Sequence, residues 1–197
     1  MPRIERRNLA LVIASSTAIV LVQAVPAAAH TGHGIGATWS GLVHPLLGPD
    51  HMFAMVSVGV LAALIRRPLT VPITFLSAMA VGGSLGMAGM ALPGGELAIA
   101  VSVVALGAAL VAGGTTHPAL ALGLVVAAGF VHGHAHGSEA PQAAAPIAYI
   151  VGFIAATAVL HAAGVGAGQV VSRRPAARAA LGSVVLGAGL AFAVGLT

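Results

Sequence analysis

The sequence predicts an all-α polytopic membrane protein, a six-transmembrane-helix bundle behind a cleavable signal peptide. Three observations predict it. The chain is 58% hydrophobic and only 6% charged, where a soluble domain carries roughly a quarter charged residues. Apolar runs recur along its length, each near the ~20 residues that a spanning helix needs. Short links rich in glycine, proline or arginine separate the runs.

The elements follow in order. Arg3, Arg6 and Arg7 precede an apolar stretch from Leu9 to Val22, and Ala27-Ala28-Ala29 follows with the small residues a signal peptidase requires. Residues 1–29 therefore read as a signal peptide and 30–197 as one transmembrane domain. Spans are expected over 38–64, 71–92, 97–112, 118–136, 145–171 and 177–196. Arg66, Arg67, Arg173, Arg174 and Arg178 all fall at one side of this arrangement, and Glu96 and Glu139 at the other. The positive-inside rule puts the arginine side in the cytoplasm of a bacterial-type inner membrane, with both mature termini outside. Gly82 with Gly86, and Gly164 with Gly168, carry the spacing that lets helices approach closely in lipid.

Composition also excludes. With no cysteine there is no disulfide and no thiolate metal site. The positive charge is all arginine at helix ends, without interleaved aromatics, so no nucleic-acid partner is expected. No Gly-x-x-x-x-Gly-Lys-Ser/Thr loop exists, which removes ATP hydrolysis by this chain.

Against that apolar background, nine histidines and four acids stand out. Ionisable groups inside a membrane are costly and mark pathways or sites. The first cluster is His44-Pro45-Leu46-Leu47-Gly48-Pro49-Asp50-His51. On a regular helix His44, His51 and Met55 would share a face, with Asp50 near enough to ligate or to orient an imidazole. Pro45, Gly48 and Pro49 make regular helix improbable and predict a kinked or broken span. The second cluster runs from His132 to Glu139: His132 and His136 form an i, i+4 pair, Glu139 continues on their side, and His134 points away. His161 is the third element, deep in the fifth span. Placed by helix rise alone, these groups spread along the membrane normal: His132 and His136 near the outer surface, Asp50 and His51 near the middle, His161 beyond it. Cleavage after Ala29 would leave His30 at the mature N-terminus, where its amine and imidazole, with His33, could capture an ion. Imidazole and carboxylate donors suit Ni²⁺, Co²⁺, Cu²⁺, Zn²⁺ and Fe²⁺.

These motifs resemble the HupE/UreJ family of hydrogenase and urease accessory membrane proteins. The resemblance rests on His-Pro-x-x-Gly-x-Asp-His over His44 to His51, with Met55 and Val58-Gly59 after it. It rests also on His-Gly-x-Ala-His-Gly-x-Glu over His132 to Glu139, and on Tyr149, Gly152, Phe153, Ala156, Thr157, Leu160, His161 and Gly164. Val131 stands where the family usually has an aromatic. The resemblance implies a nickel permease, with cobalt as the alternative cargo, serving nickel-enzyme maturation. It carries the metal-handling role to His44, Asp50, His51, His132, His136 and His161. His30, His33, Met55, His134 and Glu139 are the weaker candidates.

The expected partners are the lipid bilayer, a divalent metal ion, nickel-enzyme maturation proteins and further copies of the chain. No prosthetic group and no enzymatic activity are expected. Two other readings compete. A metal-binding sensor or chaperone would need the same ligands without transport, though the arginine-side loops are short for docking. An intramembrane serine hydrolase would use Ser84, in Gly82-Gly83-Ser84-Leu85-Gly86, with His161, but the motif lacks its usual strand-to-helix turn.

Overall fold

Pro45, Gly48 and Pro49 decide the shape of the first span. The computed structural model describes residues 35–113, 117–139 and 146–195. Within it, α1 (Ile35–Leu47) and α2 (Pro49–Leu64) meet at Gly48 and are bent by 79°. The residue before a proline is pushed out of the helical region, and Gly48 is accordingly extended at φ −83°, ψ 103°. Pro49 then begins α2 where its missing N–H costs nothing. The predicted break is therefore present, between the two histidines of the motif.

Five more helices follow: α3 (Thr70–Met87), α4 (Gly95–Ala112), α5 (Pro118–Glu139), α6 (Pro146–Val171) and α7 (Pro175–Ala193). All five are long and apolar enough to cross a membrane, and the bent α1–α2 pair makes a sixth when its two halves are counted as one broken span. Among the described residues there is no strand. The chain is a polytopic helical membrane protein. Large apolar side chains such as Leu69, Leu120, Val159 and Val170 face outward and exposed, which suits lipid rather than water. The inward set, with Met55, Leu61, Phe75, Leu106 and Leu110 fully buried, forms one core.

One span end departs clearly from expectation. The second span ends at Met87, short of Leu92, because Gly89 turns left-handed at φ 76°. Its N–H reaches the Gly86 carbonyl while the Met90 N–H reaches Leu85, a glycine-stopped helix end. The α2 end has the same bonding, Arg66 N–H to Ala63 and Arg67 N–H to Ala62. There the left-handed residue is Arg66, at φ 57°, where an L side chain costs about 1–2 kcal/mol relative to glycine.

The packing pairs are α3 with α5, α4 with α7, and α6 with both halves of the broken span. Glycine sets the closest of these. A Cβ on Gly133 would strike the Met79 carbonyl, and one on Gly82 would strike that of Phe130, so α3 and α5 interlock backbone to backbone. Gly59 and Gly164 do the same for α2 and α6 and seat the His161 backbone against α2. Gly82 thus confirms the packing role read from its spacing, as does Gly164. The predicted signal peptide, His30 and His33 lie outside the described residues.

Candidate metal site

Three helices each deliver one imidazole to a common point. His44 comes from the last turn of α1, His51 from the first turn of α2, and His136 from the last turn of α5. One ring nitrogen of each lies within 4.8 Å of the others. The ring centroids are 4.4 Å apart for His51 and His136, 4.9 Å for His44 and His136, and 5.7 Å for His44 and His51. Two nitrogens on one ion, each at the ~2.1 Å of a metal–imidazole bond, can be no more than about 4.2 Å apart. Small inward swings of the rings would therefore close the group on an ion.

The break makes this convergence possible. A straight helix would have carried His44 about two turns away from His51 along the axis; the 79° bend folds it back over its partner. The spread along the membrane normal expected from helix rise is thus corrected for His51 and His136, which form one cluster with His44.

Asp50 Oδ1 stands 3.0 Å from His51 Nδ1. The contact falls short of an aligned hydrogen bond. A carboxylate there favours the proton on Nδ1 and leaves Nε2 as the donor atom, the arrangement that commonly supports a metal-bound histidine. A fourth imidazole adjoins. His132 is fully buried, its ring 5.2 Å from that of His51. Its Nδ1 donates to the Ala128 carbonyl at 2.8 Å, which places the lone pair on Nε2, and that atom is buried without a hydrogen-bond partner. Leaving such an atom unmet costs about 1–3 kcal/mol.

His161 stands apart from the cluster. Both of its ring nitrogens are buried and unpartnered, and its one ring contact among the described residues is Phe75, edge to face at 5.1 Å. The same Phe75 ring lies 6.1 Å from His132, so one phenyl bridges the cluster and the deeper histidine. Met55 is fully buried in α2, one turn beyond His51. His134 lies elsewhere: its Nε2 donates to the Met90 carbonyl at 2.7 Å and ties α5 to the turn that follows α3. The backbone of Glu139 closes α5, and its side chain is outside the described set. Ser84 sits in regular helix and gives its hydroxyl to the Ala80 carbonyl at 2.8 Å, the ordinary fate of a helical serine.

Sequence reasoning gave no role to the aromatic wall. Phe153 lies 4.3 Å from His136, and Tyr149 lies 5.9 Å from His44. Phe75 adds the third side. The signal was available: with five phenylalanines, one tyrosine and one tryptophan in the chain, an aromatic is rare enough to mark a place. Beside His136, a cavity of about 270 Å³ runs between α3, α5 and α6, lined chiefly by apolar groups such as Met79, Met87 and Ile154.

The HupE/UreJ protein family matches residues 18–192. The chain belongs to the HupE/UreJ family. It is also similar to Protein HupE of Rhizobium leguminosarum bv. viciae, at 42% identity over 192 residues, covering 91% of this chain and 97% of that one. No solved structure matches the chain. The HupE/UreJ match spans every helix that contributes to the histidine cluster.

Proposed function

We propose that this HupE/UreJ protein is a permease for divalent transition-metal ions, nickel before cobalt, that supplies hydrogenase or urease maturation. The observation that carries the reading is the convergence of His44, His51 and His136 from three helices inside an apolar bundle. Burying imidazoles in such a place is costly unless a ligand meets them. His44, His51 and His136 hold the ion, Asp50 orients His51, and the Nε2 of His132 offers the next donor. His161 receives the ion further in, past Phe75. Glu139, with His30 and His33 at the mature N-terminus, collects it outside.

Transport is facilitated diffusion across an inner membrane, with the arginine end in the cytoplasm and residues 1–29 removed. An inside-negative potential favours inward movement of a divalent cation by about 4.6 kcal/mol per 100 mV. The test is radioactive nickel uptake into proteoliposomes under an imposed potential. Uptake that the wild type performs and His51→Ala abolishes supports the permease. Nickel binding without uptake would replace it with a sensor or chaperone.

A further inference from the structure

The arginine end of the bundle carries a second feature that metal handling does not use. Arg66, Arg173 and Arg178 line a cavity of about 510 Å³, together with Ala63, Leu64, Gln169 and Ser172. It lies where α2 ends, α6 ends and α7 begins. None of the lining residues is acidic. The whole chain has four acids, Glu5, Asp50, Glu96 and Glu139; Asp50 is at the histidine cluster and Glu96 opens α4, after the opposite turn of the bundle.

Arg66 and Arg173 are exposed and Arg178 is half-buried. Arg66 occupies the left-handed position of a helix stop where glycine is preferred, so its side chain is kept at a backbone cost. Arg178 lays its guanidinium against Gly113, where a Cβ would collide with it, and its Nη2 reaches the Val111 carbonyl at 3.4 Å. Its Nε is buried with no hydrogen-bond partner. Four backbone carbonyls beside the cavity accept backbone N–H groups: Ala62 and Ala63 from Arg67 and Arg66, and Gly168 and Val171 from Ser172 and Arg174. The first turn of α7 adds the positive end of its dipole.

We propose that this cavity binds a phosphate-type anion, and that its occupant is the headgroup of an anionic phospholipid. A basic pocket between helix ends at the membrane surface has the charge and position for that chemistry. The apolar rim of Ala63 and Leu64 meets the acyl end, and the guanidinium planes suit bidentate contact with phosphate. The bound lipid joins α2, α6 and α7.

Native mass spectrometry of the full-length protein tests this with phosphatidylglycerol, phosphatidylcholine of the same acyl chains, and millimolar inorganic phosphate as probes. The expected result is retention of phosphatidylglycerol at least about tenfold over phosphatidylcholine, with that preference lost in Arg66→Gly/Arg173→Gln. Arg66→Gly alone relaxes the backbone while removing one charge, so it folds and should lose part of the preference. No preference in the wild type, or full preference in both variants, overturns the proposal. Inorganic phosphate bound as well as the lipid overturns the lipid assignment in favour of a free anion. Nickel enters none of these measurements, so the outcome is independent of the permease reading.

Discussion

The rings of His51 and His136 stand edge to face, 4.4 Å between centroids and 86° between planes. One opens α2 just after the break, and the other sits in the last turn of α5. Loss of either should therefore act on the same ion. His51→Ala and His136→Ala are each expected to weaken nickel binding by at least the ~10–100-fold seen for loss of a supporting residue. The double variant should be little worse than either single one, because groups acting as a unit are not additive. Titration calorimetry of the purified protein measures all three.

Asp50 Oδ1 lies 3.0 Å from His51 Nδ1. Asp50→Asn keeps the shape but removes the charge that holds the proton on Nδ1, so nickel affinity should fall by about 10–100-fold while insertion and thermal stability persist. Affinity equal to wild type would show that the carboxylate does not orient the ring.

His134 is expected to behave unlike its neighbours. Its bond to the Met90 carbonyl is structural, so His134→Ala should lower stability by about 0.5–1.5 kcal/mol and leave nickel affinity unchanged. Thermal unfolding in detergent together with calorimetry separates the two effects. A large loss of affinity would move His134 into the ligand set.

Two glycines on one helix should respond in opposite directions. Gly133→Ala drives a Cβ into the Met79 carbonyl and should destabilise by about 1–3 kcal/mol. Gly123 faces open space, so Gly123→Ala should be neutral or stabilising by up to about 1 kcal/mol. Melting temperatures in one detergent would report both, and equal shifts would argue against the α3–α5 interlock.

Much of this protein was legible in its sequence because lipid imposes simple rules. Apolar runs of spanning length gave the helices, and Pro45, Gly48 and Pro49 announced the break, since proline chemistry is local. The rarity of charge singled out Asp50 and the histidines before any coordinates. The boundary at Met87 was missed because Gly89, one glycine among 27, takes up φ 76° only in the folded chain.

What tertiary structure alone decided is which histidines meet. Helix rise orders residues along one axis and says nothing of a 79° bend, so it separated His51 from His136 where folding gathers them with His44. The aromatic wall of Phe75, Tyr149 and Phe153 depends likewise on which helix faces touch, as does the cavity that draws Arg66, Arg173 and Arg178 together. Local sequence fixes backbone preferences within a few residues; contacts between distant helices follow from packing the whole bundle, glycine against carbonyl.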